Sequence, residues 1–209
     1  MSFFEIYNIA FEVFGYPISY VELIGTLFGL ISVYFATRAN ILTWATGIVN
    51  EFFLFLLFFQ VQLYADMILQ IYFFVITLFG WYNWKHKPKK NSITTTNFKT
   101  RVFIVFTIIT GTLVTGFFFA NIHLYFPQYF KIAASFPYAD SFVMVSSIIA
   151  TVLLAKKKIE TWYLWILVDI ISICLFFKKG IVFLGIEYFI FLGLVTYGLL
   201  NWKKEMKHG

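Results

Sequence analysis

A chain crosses the hydrocarbon core of a bilayer as a helix of roughly 20 mostly apolar residues. This sequence offers such a stretch seven times, near residues 20–37, 41–60, 65–84, 102–121, 138–155, 159–177 and 181–202. Lipid gives backbone N–H and C=O groups no outside partner, so the stretches are predicted to be helices. They are apolar throughout rather than alternating, which excludes a transmembrane β-barrel. At 61% hydrophobic and only 12% charged, the chain is too apolar for a soluble domain of 209 residues, and the lipid bilayer is its first partner.

The charges then orient it. Threading seven spans gathers thirteen of the sixteen basic residues on one face of the membrane: Arg38, the cluster from Lys85 to Arg101, Lys156 to Lys158, and Lys203, Lys204 and Lys207. Only Lys131, Lys178 and Lys179 fall on the other. The positive-inside rule places the N-terminus outside and the C-terminus in the cytoplasm. Because these lysines sit in clusters between apolar runs, the net charge of +6 reads as membrane orientation, and nucleic acid is excluded as a partner. The single cysteine, Cys174, reads as a small core hydrophobe. Residues 1–19 carry Glu5 and Glu12 but no basic residue, unlike a cleaved signal peptide. They read as an interfacial helix dipping Phe3, Phe4, Tyr7 and Phe11 into lipid.

Sliding the sequence on itself by 118 residues aligns 22–85 with 140–203 without a gap. Fourteen of the 64 positions are identical, where this composition alone would give roughly five, so the chain contains an internal repeat. Thr43-Trp44 falls on Thr161-Trp162, Gly80 on Gly198, and Asn83-Trp84-Lys85 on Asn201-Trp202-Lys203. Each unit holds three spans and would be inverted relative to the next, but the extra span at 102–121 restores the direction. The predicted architecture is therefore all-α, an integral membrane protein of three plus one plus three helices. Its segments are an N-terminal piece (1–19), a first repeat (20–85), a loop and linking helix (86–137), a second repeat (138–203) and a tail (204–209). Parallel repeats about an axis normal to the membrane are a known transporter construction, with the substrate near the midplane between the halves.

An ionisable side chain at the centre of a span costs about 3 kcal/mol on insertion scales, so each needs a reason. Glu51, Asp169 and Glu187 qualify, and the offset of 118 superposes Glu51 on Asp169. No lysine, arginine or histidine lies mid-span to neutralise them. Either these acids hold protons, or the cation arrives as substrate. Trp162, Trp165 and Asp169 are spaced i, i+3 and i+7 on one helix face, and an aromatic face beside an acid suits a flat, positively charged ring. Asn50 and Gln70 are the uncharged polar candidates, though bonding between helices accounts for them equally well. Trp44, Trp84, Trp162 and Trp202 all lie at the cytoplasmic ends and read as an interfacial aromatic belt. The chain has no H-E-x-x-H and no G-x-S-x-G, and its histidines (His86, His123, His208) lie in loops or at span ends. Neither an enzyme nor a metal or cofactor site is expected.

"WYLWILVD" at 162–169 resembles the W-x-x-W-x-x-x-(N/D) motif of the bacterial nicotinamide riboside transporters of the PnuC type. Asn50, Phe59, Tyr64 and Ala65 match their Asn…Phe…Tyr-Ala motif, and "GIEYFIF" at 185–191 is similar to their last span. The resemblance runs from about residue 20 to 203. It implies a fold like that of the SWEET sugar transporters, a homotrimer in the bacterial inner membrane, and facilitated diffusion of an unphosphorylated vitamin precursor that a cytoplasmic kinase traps. It also implies a substrate site formed by Asn50, Gln70, Trp162, Trp165, Asp169, Glu187 and Tyr188. Relatives within the family carry thiamine, also a flat cation, or riboflavin, which is neutral; an acid at 169 favours a cation.

Overall fold

Between the hairpin turn at Gly15 and the first helix, only four residues intervene. A computed structural model describes residues 4–13, 15–60, 64–86, 93–128, 134–178 and 182–208. It opens with an antiparallel hairpin, β1 (Ile9–Val13) and β2 (Tyr16–Ser19), where an interfacial helix was expected. The reason is local: Gly15 adopts φ +81°, which glycine tolerates and most residues do not, and Pro17 removes a helix donor. Phe3 lies outside the described residues, whereas Phe4 packs on the rings of Phe52 and Phe53. Gln60 fixes the same segment at both ends of its amide, Nε2 donating to Phe4 O (2.7 Å) and Oε1 accepting from Ile6 N–H (3.0 Å).

Among the described residues eight helices follow: α1 (Tyr20–Thr37), α2 (Leu42–Gln60), α3 (Tyr64–His86), α4 (Phe98–Ala120), the short α5 (Ile122–Tyr125), α6 (Pro137–Ala155), α7 (Glu160–Lys178) and α8 (Val182–His208). Ser19 caps α1 by accepting from Glu22 N–H, and Asn97 caps α4 by accepting from Thr100 N–H, each satisfying a donor that the first turn leaves free. Among the described residues six helices are long and apolar enough to cross a membrane: α1, α2, α4, α6, α7 and the Gly185–Lys207 part of α8. The third predicted span corresponds to α3, a helix of 23 residues that carries Asp66, Gln70, Asn83 and Lys85. Large apolar side chains stand outward on these helices, Phe103, Val114 and Phe189 at 67–69% exposure, a surface that suits lipid and not water. Cys174 is among the exposed residues, against the expectation that it fills the core.

The chain divides into two units, Met1–Ser92 with Ala155–Lys157, and Ile93–Leu154 with Lys158–Gly209. In the first, α2 packs between α1 and α3. In the second, α7 packs on α8, and its Thr161 Oγ1 donates to Ala150 O of α6 (2.8 Å). The corresponding bond in the first unit runs from Thr43 Oγ1 to Ser32 O (2.9 Å), with both partners shifted by 118. The helix connections repeat at the same offset. Ala39 (φ +47°) and Lys157 (φ +50°) both take the left-handed conformation, and the next residue donates back to the helix end: Asn40 N–H to Phe35 O at 3.0 Å, Lys158 N–H to Leu153 O at 2.9 Å.

The tryptophans complete the parallel. Trp44 meets Trp84 edge-on (5.2 Å, 88°), and Trp162 meets Trp202 in the same way (5.3 Å, 89°). Gly80 and Gly198 leave the space these rings occupy, since a Cβ on Gly198 would lie 2.8 Å from the Trp162 ring and one on Gly80 would overlap Trp44. None of the four indoles is more than 6% exposed, so they are packing elements of each unit and not the lipid-facing belt anticipated from their positions. A further clamp belongs to the second unit. Glu160, at the start of α7, accepts from Thr96 N–H (2.9 Å) and pairs with Arg101 of α4 (3.0 Å), while Lys158 Nζ donates to Thr94 Oγ1 (2.7 Å).

Candidate functional site

In the first unit the acid is Glu51, 8% exposed, on the inner face of α2. Its Oε1 accepts from Thr77 Oγ1 on α3 at 2.5 Å, and its Oε2 is buried with no hydrogen-bond partner among the described residues. One residue earlier, Asn50 Nδ2 donates to Gly25 O of α1 at 2.8 Å, so the interhelical bond that competed with a binding role is realised, and Oδ1 is the group Asn50 can still offer. Gln70, 8% exposed, joins Glu51 in lining an open groove of about 140 Å³ between α2 and α3. Phe52, Phe55, Ile71 and Phe74 form its apolar walls.

In the second unit Asp169 is 2% exposed, and its Oδ2 has no hydrogen-bond partner among the described residues. Ser172, one turn further on the same face of α7, is equally buried with a free Oγ. Trp165, one turn before, is half-buried. Trp162 is sealed at 1% exposure between Trp202 and Gly198, and its indole N–H is the unpartnered group it retains. That N–H has an equally unpartnered counterpart in Trp44.

Tyr188 is half-buried on α8 against Phe176 (5.2 Å) and Phe191 (6.0 Å). The α7–α8 contacts Trp162–Gly198 and Phe177–Gly185 place Asp169 opposite a residue near 192. Half-buried Glu187 therefore lies about 7 Å nearer the start of α8, a separation that follows from the helical rise. It is an acid at a different depth from Asp169.

Thr77 and Ser172 are the polar residues that motif reading passed over. Thr77 could have been found from the repeat itself, because its counterpart 118 residues on is Val195, and a polar-for-apolar difference facing a buried acid is a signal. Among the described residues no group of three or more His, Cys, Asp or Glu side chains is placed to hold a metal ion. Among the described residues the arrangement offers two buried acids without cationic partners. Such a setting accepts a cation or a proton.

The sequence profile of the nicotinamide mononucleotide transporter family matches residues 19–204. The chain belongs to this family. A member of the nicotinamide mononucleotide transporter family is a multi-pass membrane transporter and not an enzyme, consistent with the apolar helices above. Among its relatives is the nicotinamide riboside transporter PnuC of Escherichia coli K12, 29% identical over 97% of this chain and 94% of that protein. The riboflavin/roseoflavin transporter RibM of Streptomyces davaonensis is 27% identical over 92% and 89%. A PnuC of Neisseria mucosa is 26% identical over 91% and 74%. A crystal structure of the vitamin B3 transporter PnuC shares the fold, with a TM-score of 0.67 at 22% identity, covering 90% of this chain and 83% of that one.

Proposed function

We propose that this transporter carries nicotinamide riboside, a vitamin B3 precursor, by facilitated diffusion with alternating access, and that cytoplasmic phosphorylation traps the product. The observation that carries the reading is the unpartnered carboxylate of Asp169 with Trp165 one turn away: a pyridinium supplies the missing charge, and the indole face supplies stacking and cation–π attraction. Relatives named as nicotinamide riboside transporters support the choice of cation. Asn50 and Gln70 would bond the ribose, Tyr188 and Glu187 would complete the polar lining, and Trp162, packed on Trp202, would support the site from behind.

In this reading α3 is the seventh span, and the helices group as three, one and three. The protein sits in the bacterial inner membrane with its N-terminus outside, its C-terminus inside, and three copies in the assembly. Thiamine satisfies the same acid, so it is the alternative within the family. Riboflavin, carried by the RibM relative, is neutral and leaves Asp169 without its counter-charge.

Binding of nicotinamide riboside, thiamine and riboflavin to purified protein, measured side by side, tests the substrate, and binding of riboflavin alone would overturn it. Uptake into proteoliposomes tests the mode of transport. Facilitated diffusion requires equilibration that survives a collapsed proton gradient; accumulation that depends on the gradient would instead make the acids proton carriers.

A further inference from the structure

The connection from α6 to α7 is held at both of its ends. Ala155–Lys157 belong to the first unit, where Asn83 Nδ2 and Trp84 Nε1 at the end of α3 both donate to Ala155 O (2.8 and 3.1 Å) and the Lys157 ammonium lies over the Trp84 ring. From Lys158 onward the chain belongs to the second unit. There Thr94 pairs with Lys158 in a parallel bridge, Ile159 N–H donates to Thr94 O (3.0 Å), and Lys158 Nζ donates to Thr94 Oγ1 (2.7 Å). One oxygen of Glu160 collects Thr96 N–H (2.9 Å) together with Nε and Nη2 of Arg101 (3.1 and 3.0 Å).

Residues 93–97 thus form a strap across the start of α7, and the strap runs straight into α4 through its cap, Asn97. Further along, α4 lies close against α6: a Cβ on Gly111 would come within 3.1 Å of Val145, and one on Gly116 would overlap the Tyr138 ring. The linking helix is therefore fixed within the second unit at three depths. The first repeat is built differently. At the offset of 118 the counterpart of Glu160 is Leu42, 47% exposed, whose N–H is met by its own neighbour Asn40 (2.9 Å). The two holds on the connection also differ in strength. Hydrogen bonds to an ionised partner are about twice as strong as neutral ones, so the contacts of Glu160 and Lys158 outweigh two neutral donors sharing the carbonyl of Ala155.

We propose that the strap stays closed through the transport cycle, so that α4 and the second repeat move as one four-helix body, and that the connection yields at Lys157, between its two holds. Mechanically the helices then group as three and four. Lys157 has φ +50°, a strained conformation for a residue with a Cβ, and such strain gathers at segments that switch. Glu160 touches no substrate; it is a positioning residue that keeps α4 in step with α7. The inference rests on the proposed alternating access and adds which parts travel together.

Thr94→Cys with Lys158→Cys, made in a Cys174→Ser background, joins the strap covalently on oxidation. In proteoliposomes, oxidation should leave the rate of nicotinamide riboside uptake within about twofold of the reduced protein. Glu160→Ala should slow uptake roughly tenfold while Kd holds within about twofold, and oxidising the cysteine pair in that variant should restore the rate. Glu160→Gln, which keeps an acceptor for Thr96 N–H but removes the charge facing Arg101, should lie between the two. Uptake that stops on oxidation and returns on reduction would overturn the proposal, because the strap would then have to open. A Glu160→Ala defect that the covalent join does not repair would overturn it as well.

A second measurement needs no transport. Spin labels at Phe103→Cys on α4 and Tyr163→Cys on α7, both exposed positions, should report one narrow distance that substrate leaves unchanged and Glu160→Ala broadens. Two distances in the protein with its strap intact would end the idea of a single body. A wild type that takes up no nicotinamide riboside yet keeps the single distance overturns the substrate reading instead.

Discussion

The two repeats share a frame and differ in what they place inside it. The shared part is the Thr43/Thr161 bond, the left-handed turn at Ala39/Lys157, and the crossed tryptophans over Gly80/Gly198. The difference lies a turn or two inward. Glu51 faces a donor, Thr77, and its helix has Gly47 where the second repeat has Trp165. Asp169 has Val195 at the position of Thr77, buried at 2% and unable to donate. One repeat clamps its acid and omits the large ring; the other leaves its acid unclamped and sets an indole beside it. Duplicated scaffolds diverge most cheaply in this way, because the contacts that fix helix spacing stay constant while single side chains at membrane depth change.

If the frame is common, breaking it should cost both halves alike. Gly80→Leu and Gly198→Leu each force a side chain into an indole and should destabilise by about 1–3 kcal/mol, as overpacking does. Thermal unfolding in detergent checks the equality, and a large effect in only one unit breaks the comparison. The inner residues should behave in the opposite way. Trp165→Gly, which copies the first repeat, should weaken nicotinamide riboside binding roughly tenfold, about 1.4 kcal/mol, whereas Gly47→Ala should change it little.

Val195→Thr gives Asp169 the donor that Glu51 already has. It should lower affinity for the cation several-fold in an equilibrium binding assay, because a satisfied carboxylate attracts a cation less. An unchanged constant would show that the partner of the acid does not matter. The smallest effect belongs to Thr43→Val and Thr161→Val, each removing one hydrogen bond within the membrane at about 0.6 kcal/mol, read as matched small drops in unfolding temperature.

Much of this was legible in the sequence for a definite reason. Apolar runs and an ungapped offset of 118 are properties of long segments, and they survive whatever individual side chains do. Asp169 and Trp165 were legible because helical spacing alone puts them on one face. The hairpin was missed because apolar content dominated the reading of residues 1–19, although Gly15 and Pro17 were local signals against a helix. The crossed tryptophans were misread because a ring near a helix end looks the same in sequence whether it faces lipid or a neighbouring helix. The role of Thr77 depends on which side chains meet across two helices, and a single sequence does not state that.

The paired turns also carry a practical consequence. A residue other than glycine in the left-handed region is strained by roughly 1–2 kcal/mol, and both repeats carry one there. Lys157 has compensation, since its ammonium lies 4.3 Å from the centre of the Trp84 ring within the same unit. Ala39 has a side chain too short for any such contact. Ala39→Gly is thus a route to a more heat-tolerant transporter that leaves both acids and their surroundings untouched, whereas the equivalent change at 157 would forfeit the cation–π contact as it relieved the strain.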